Sequence, residues 1–300
     1  MDTKDPRVAI VMITHNRREE LLRTLERLTG LPEQPGIVVV DNGCTDATAE
    51  AVAQTFPQVN VVRAGANLGA AGRTLGARHT DAPYLAFCDD DTWWDPGALR
   101  RAADLFDRHP KLAALTGRVL IGREEREDPA CTEMARSPLP REPQMPGHPL
   151  LGFLAGASMM RRSAFFSAGG FTAHLGIGGE EQWLAAELAA GGWWLCYVPE
   201  IVIHHYPSTK RDARLRRRHD LRNTLWFTWL RRPLPSALRR TLSLARSVPC
   251  DWVSVRGFVA ALTGLPSVWR YRHVVPPDVE LRLRLLEIDR NKERKGSHVL

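Results

Sequence analysis

The sequence predicts an α/β fold built on a mostly parallel sheet, and three observations carry that prediction. Short β-branched apolar runs recur at residues 8–13, 37–40, 59–62, 84–88 and 112–121. Segments of helical periodicity separate them, which is the rhythm of βαβ units. Polar motifs follow several of the runs directly, where the carboxyl ends of parallel strands form a ligand-binding edge.

Taken in order, the first run precedes Leu21, Leu22, Leu25 and Leu28, spaced i, i+1, i+4 and i+7 as one stripe facing a sheet, and Gly30 with Pro32 ends that helix. Thr45 or Asp46 is the expected cap of a second helix. A third opens at Asn67-Leu68-Gly69-Ala70-Ala71-Gly72-Arg73. Asp95-Pro96 sets a capping acid before a proline at the first position of a fourth. Residues 122–149, with six prolines and no periodicity, read as a flap loop beside a site. Beyond them come an apolar stretch at 150–160, a helix at 180–190 and two strands at 193–198 and 201–205. The Arg-rich segments 210–232 and 236–247 read as amphipathic helices. The expected organisation is therefore a domain over 1–206, with a first half at 1–121, the flap at 122–149 and a second half at 150–206, followed by a basic helical extension over 207–300.

Composition narrows the function classes. With 44% hydrophobic and 25% charged residues the chain is neither disordered nor collagen-like. Its first apolar run has six residues, too few for a signal peptide, and the stretch at 150–160 is about half of the roughly 20 residues that cross a bilayer. A cytoplasmic protein without transmembrane helices is expected. Five scattered cysteines without a Cys-x-x-Cys pair read as reduced thiols. The net charge of +7 is unevenly spread: residues 1–205 hold 20 basic and 26 acidic side chains, residues 206–300 hold 21 and 8. Charge alone leaves anionic lipid, nucleic acid and polyanionic substrate as partners of the basic tail.

Four polar points converge on one edge if the sheet is parallel: Thr14-His15-Asn16-Arg17, Asp41-Asn42-Gly43, Asn67 to Arg73, and Asp89-Asp90-Asp91. Three adjacent carboxylates repel one another, and a divalent cation with oxygen ligands offsets that cost. Asp89 and Asp91 point to the same side of an extended chain, leaving Asp90 turned away or bonded to a ribose. The competing reading is a solvated acidic turn. Asp41 is either a helix cap or an acceptor for a nucleoside. Arg73 is either a surface arginine or a partner of a diphosphate.

These motifs, in their order and spacing, resemble family 2 nucleotide-sugar glycosyltransferases. The similarity extends through Gly169-Gly170-Phe171, Gly179-Glu180-Glu181, Gly191-Gly192-Trp193 and Tyr197-Val198-Pro199 to His204-His205, covering about residues 7–206. The resemblance implies a GT-A fold and an inverting, non-processive transfer from a nucleotide-diphosphate sugar, in surface glycan or glycoconjugate biosynthesis. By that analogy Thr14, Asn16, Arg17 and Asp41 hold base and ribose, and Asn67, Gly69, Arg73, Asp89 and Asp90 complete the donor site. Asp89 and Asp91 with His205, or His204, bind Mg²⁺ or Mn²⁺. Glu181 aligns with the general base and Glu180 is the fallback, although Glu180-Glu181-Gln182-Trp183 departs from the family's Glu-Asp-x-Asp. Two acids in a first helical turn equally suit the helix dipole. Trp183, Trp193 and Trp194 are either a sugar-stacking surface or core.

The acceptor is a lipid-linked glycan, a protein or a metabolite. The Arg/Leu/Trp pattern between residues 210 and 240 either rests on an anionic membrane at the inner face of the plasma membrane or packs its apolar side on the domain. Nucleic acid is not an expected partner of the transferase. The competing functions are a sugar-nucleotide pyrophosphorylase and a non-catalytic scaffold binding lipid or nucleic acid through the tail.

Overall fold

The computed structural model describes residues 4–173, 178–207 and 213–296. Strands and helices alternate from the start: β1 (Val8–Thr14), α1 (Arg18–Thr29), β2 (Gly36–Asp41), α2 (Thr48–Thr55), β3 (Asn60–Arg63), α3 (Ala71–Ala77) and β4 (Tyr84–Asp89). Then come β5 (Thr92–Trp94), α4 (Ala98–Arg108), β6 (Leu112–Ile121), β7 (Arg126–Glu127), α5 (Pro129–Ala135) and β8 (His148–Pro149). After β9 (Ala157–Arg161), α6 (Arg162–Ser167), α7 (Glu180–Ala190) and β10 (Trp194–His205), four helices follow: α8 (Ala213–Arg231), α9 (Leu234–Ser247), α10 (Trp252–Val268) and α11 (Pro277–Gly296).

The strands form one sheet in the order β3-β2-β1-β4-β9-β6-β10-β5, with β7 added on β6 and β8 on β10. The β3 to β4 block is parallel, as is β6 with β10, while β9 runs antiparallel to both β4 and β6. Val8 to Met12 are buried without alternation because helices cover both faces of this sheet. Close helix–sheet contact explains Gly76: a Cβ there would stand 2.7 Å from Val11 and 2.8 Å from Val40.

Register brings the polar motifs to one edge. Thr14 pairs with Asp41, and Ile13 with Asp89, so β1, β2 and β4 end level. His205 pairs with Thr92 across the antiparallel β10–β5 ladder, which carries the end of β10 to the acidic triplet.

Several local expectations differ from the structure. The two strands expected at 193–198 and 201–205 are one strand whose pairing to β6 jumps from Val198–Gly117 to Val202–Arg118, a bulge at Pro199, which has no N–H for the ladder. Of residues 150–160 only the end is strand. The 122–149 segment holds β7, α5 and β8 and buries Cys131, Leu139 and Met145, so it is anchored rather than a bare loop. Neither expected cap forms: α2 starts after a left-handed Ala47 without a side-chain cap, and Asp46 instead accepts the Arg18 backbone N–H at 3.2 Å. Asp95 offers its backbone carbonyl to Ala98 N–H at 2.9 Å, with left-handed Gly97 between, while its side chain faces His204.

In the extension, α8 turns its apolar face inward, burying Leu221, Leu225, Trp226, Phe227 and Leu230. This corrects the membrane reading for that face. Lys210 and Arg211 lie outside the described residues. Arginines here also serve internal pairs: buried Arg231 meets Glu187 at 2.6 Å, and Arg232 meets Glu280 at 2.9 Å. Helix α10 lies beyond both segments the charge pattern singled out. No helix among the described residues is long and apolar enough to cross a membrane.

Candidate active site at the carboxyl edge of the sheet

The acidic triplet sits at the end of β4, and each aspartate has its own partner. Asp89 pairs with Arg73 of α3. Its backbone N–H donates to Thr92 Oγ1 at 2.8 Å, and that hydroxyl donates to the Gly156 carbonyl at 2.9 Å. Asp90 is buried, one oxygen on Arg17 and the other accepting from Thr14 Oγ1 at 3.1 Å, while its carbonyl accepts from Thr24 Oγ1 at 2.8 Å. Asp91 takes the second arm of Arg17 at 2.9 Å and faces His205 Nε2 at 3.5 Å.

Electrostatics separates neighbouring carboxyls. Burial pushes Asp90 up to about 7, opposed by Arg17 and aided by the charges of Asp91 and Asp89. Asp91 feels the same burial, yet hydrogen bonding and charge from His205 and Arg17 outweigh it and hold the carboxyl far below the ordinary range.

At the other side of Asp89 lies the start of α7. Glu181 Oε1 accepts the Ala155 N–H at 3.1 Å, and the next residue, Gly156, is so close to Asp89 that a Cβ would stand 2.7 Å from the carboxyl carbon. Burial, reinforced by the Glu180 charge, raises Glu181 to about 7, and Asp89 and Arg73 both act on it. Glu180 is raised by burial and feels Arg73 and Asp220, and one of its oxygens is buried without a hydrogen bond. Arg73, buried beneath Phe171 at 5.5 Å, thus sits among Asp89, Glu180 and Glu181.

The remaining expected residues divide. Asp41 Oδ1 accepts the Cys44 N–H at 2.7 Å, a turn bond, at the level of Thr14. Asn16, with φ +54°, accepts the Thr45 N–H at 2.7 Å and so ties two edge loops together. Asn67 accepts the Gly69 N–H at 2.9 Å, and the Gly69 carbonyl accepts from Asn42 Nδ2 at 3.0 Å. Asp90 is not turned away; one oxygen meets Arg17 and the other Thr14, both at the first βα junction. His204 is stacked on Trp93 and lies between Asp95 and Glu125 at 3.3 and 3.4 Å, on the strand face opposite His205. Its distance from Asp91 follows from that alternation and corrects its assignment as a metal ligand. Trp183 packs edge-on against Phe227, and buried Trp194 donates to Glu142 at 3.0 Å, so both are core.

Thr24, Asn42, Thr92, Ala155 and Gly156 also build the site. Asn42 bridges three segments, accepting the Leu68 N–H at 2.9 Å while His15 Nδ1 approaches its carbonyl at 3.0 Å. Its place after Asp41 was the only sequence signal for any of the five. Among the described residues no three metal-ligating side chains are gathered together. Asp91 with His205 is a two-member set, and Mg²⁺ or Mn²⁺ bound to a nucleotide requires only one or two protein ligands beside phosphate oxygens and water. The residues present therefore fit such an ion.

Comparison with known proteins agrees with this geometry. Residues 9–166 match the model of glycosyl transferase family 2. N-acetylglucosaminyl-diphospho-decaprenol L-rhamnosyltransferase of Mycobacterium tuberculosis is 30% identical over 277 aligned positions, covering 78% of this chain and 90% of that protein. Among solved structures, the Pyrobaculum calidifontis mannosyltransferase PcManGT, in complex with GDP-Man and Mn²⁺, superposes with a TM-score of 0.57 at 17% identity, over 96% of this chain and 87% of its own. GalNAc-T7 with UDP, GalNAc and Mn²⁺ gives 0.58 at 14% identity, over 84% and 53%. These neighbours are GT-A glycosyltransferases, and their fold is the fold of this chain. With more than half of its length inside the family model and its strand-end motifs on one edge, the chain belongs to glycosyl transferase family 2 and is a glycosyltransferase, not a pyrophosphorylase or a non-catalytic scaffold.

Proposed function

We propose that this chain is a metal-dependent, inverting, non-processive transferase that moves a hexosyl unit from a nucleoside-diphosphate sugar to a hydroxyl of a lipid-linked glycan. One observation carries the reading: the Asp91–His205 pair and the raised carboxyl of Glu181 stand at the same sheet edge, joined through Asp89 and its partner Arg73. Asp91 and His205 would hold Mg²⁺ or Mn²⁺. When bound there, such an ion neutralises the negative charge of the departing diphosphate. Arg73 adds positive charge to the same group and Asp89 keeps it aimed. Asp41, level with Thr14, faces the nucleoside.

Glu181 takes the proton of the acceptor hydroxyl. A carboxylate raised to about 7 is a stronger base than an ordinary one and is ionised in a substantial fraction near neutral pH. A single displacement of this kind inverts the anomeric carbon and needs no nucleophile on the protein. Glu180 is the second candidate base; burial raises its carboxyl too, and the like charge of Asp220 of α8 adds to that rise. The lipid-linked acceptor is supported by the mycobacterial relative, whose name places its acceptor on a decaprenol carrier.

The experiment is a panel of UDP-, GDP- and TDP-sugars with a polyprenyl-diphosphate-linked N-acetylglucosamine, with Mn²⁺, with Mg²⁺ and with chelator. Expected are release of nucleoside diphosphate, a one-sugar gain in acceptor mass, loss of both on chelation, and an inverted anomeric configuration by NMR. Undiminished transfer in chelator, or retention at the anomeric carbon, refutes the mechanism.

A further inference from the structure

Helix α10 is packed inside out. Its small residues Ser254, Gly257 and Ala261 face inward: a Cβ at Gly257 would stand 2.9 Å from Leu221 of α8, and Trp226 of α8 donates Nε1–H to the Ala261 carbonyl at 2.9 Å. Its large apolar residues face outward, with Trp252 66%, Val255 44%, Val259 52% and Leu262 69% exposed. At 100° per residue these four fall within an arc of about 80°, a single stripe. On α9, Leu234, Leu238 and Leu242 are also exposed, at i, i+4 and i+8. An outward stripe of this kind on a chain with an ample core of its own marks a docking surface.

Charge identifies the occupant. Between residues 234 and 272 stand six arginines against one acid, Asp251, which is engaged by Arg217; Arg240 turns to Glu287 of α11 at 3.4 Å and Arg272 to the Trp229 carbonyl, while Arg239, Arg246, Arg256 and Arg270 are exposed. Two copies meeting through α10 would oppose arginine to arginine, with no acid inside either helix to neutralise them. We infer that α10, with α9 beside it in sequence, seats the protein on an anionic bilayer, Trp252, Val255, Val259 and Leu262 entering the headgroup boundary and the arginines meeting lipid phosphates. The helix has 17 residues and is not apolar enough to cross, so it lies in the interface.

The placement serves the transferase. Helix α10 packs on α8, and Asn223 of α8 donates to the Gly178 carbonyl, two residues before Glu180 on α7. One helix therefore stands between the docking stripe and the helix bearing Glu181. Presentation of an acceptor anchored in the same bilayer rests on the lipid-linked acceptor proposed above; the docking itself does not.

The test uses the full chain and extruded vesicles of phosphatidylcholine alone or mixed with phosphatidylglycerol, read by sedimentation. Expected is binding to the mixed vesicles that weakens with salt. Val259→Glu with Leu262→Glu, at exposed positions, lowers that partition by about tenfold or more with an unchanged circular-dichroism spectrum, and Trp252→Ser lowers it in the same direction. Failure of the wild-type chain to bind anionic vesicles overturns the inference, as does undiminished binding by both variants or a concentration-dependent dimer that the substitutions dissolve. Transfer to a short-chain, water-soluble acceptor is unchanged in the variants. Vesicle binding without any transfer counts against the catalytic proposal alone.

Discussion

Replacing Glu181 by glutamine is expected to stabilise the protein while abolishing turnover. The carboxyl is raised from an ordinary value near 4.5 to about 7 by burial and by the adjacent Glu180 charge. An acid whose folded-state pKa exceeds its unfolded value binds its proton more tightly when folded, so its ionisation destabilises the native state as pH rises from about 4.5 through 7. At about 1.4 kcal/mol per unit the cost above pH 8 is roughly 3 kcal/mol for a fully shielded group, and on the order of 2 kcal/mol for one that keeps partial solvent access. Glutamine keeps a side-chain oxygen in place of the carboxylate Oε1 that accepts the Ala155 N–H at 3.1 Å, and removes the charge.

Urea unfolding of both proteins at pH 5 and pH 8 measures this directly. The variant should exceed the wild type by on the order of 2 kcal/mol at pH 8, with little difference at pH 5. Its turnover should fall by roughly 10²–10⁴-fold, the usual worth of a general base. Wild-type activity should rise with pH to a plateau above about 7, because the ionised form is the base. A stability gain over the wild type that is no larger at pH 8 than at pH 5 refutes the burial argument, and wild-type turnover in the variant refutes the catalytic one. Glu180→Gln, which leaves the Ala155 contact untouched, separates the two acids: if it, and not Glu181→Gln, removes the neutral limb of the pH profile, the roles are exchanged.

The other expectations concern the cation site, the approach to Asp89, and packing. Asp91→Asn should eliminate the extra thermal shift that Mn²⁺ gives with a bound nucleotide sugar, while His204→Ala, on the opposite face, should retain it. Gly156→Ala should weaken donor binding by calorimetry at least about tenfold, since its Cβ would stand 2.7 Å from the Asp89 carboxyl carbon and turn that carboxylate off Arg73; unchanged affinity would remove Asp89 from the donor site. Gly76→Ala should lower stability by about 1–3 kcal/mol by overpacking Val11 and Val40, with catalysis intact in the folded fraction. Arg231→Met should cost roughly 3 kcal/mol by leaving Glu187 without its 2.6 Å partner, and neutralising Glu187 as well should recover part of that.

What the sequence disclosed followed from local chemistry. Ile37 to Val40 read as a strand because four β-branched residues buried on both faces have no other use, and the carboxylate after it necessarily lands on the sheet edge. Asp89 to Asp91 were legible as a cluster because their mutual repulsion is evident from adjacency. Their partners were not, because Arg17 and Arg73 come from other βα turns and only the Ile13–Asp89 register brings them near. Gly156 is silent for the same reason: its role is the space it leaves beside a residue 67 positions earlier. The caps at Asp46 and Asp95 failed because left-handed Ala47 and Gly97 shift the helix starts. Arginine content misdirected the reading of the extension. It drew attention to α8, whose arginines frame a buried apolar face, and away from α10, whose exposed stripe carries few charges.

Five carboxylates, Asp89, Asp90, Asp91, Glu180 and Glu181, are packed at this edge, with Arg17 and Arg73 as guanidinium partners and His205 beside Asp91. They cannot all be ionised alike at that density, and the surroundings decide which give way. Asp91, between Arg17 and His205, keeps its charge to far lower pH, which is what a cation ligand requires. Asp90 and Glu181 move the other way, to about 7, but differ in what they touch. Asp90 has both oxygens occupied and is closed off, so its proton relieves repulsion without chemistry. Glu181 keeps an oxygen beyond the Ala155 bond and is only half-buried, so its proton can be exchanged with a hydroxyl at the site mouth. Environments that drive neighbouring acids apart are how one site holds a permanent anion and a base at once. The same division accounts for Glu181 standing where the family resemblance implies aspartate. The longer side chain starts from a helix end held back by Gly178 and Gly179, where a Cβ would meet Asp220 and Asn223, and still reaches the Ala155 N–H beside Asp89. Glu181→Asp should therefore retain the raised carboxyl yet lose that contact, and a rate falling with KM for donor unchanged would locate the defect at proton removal.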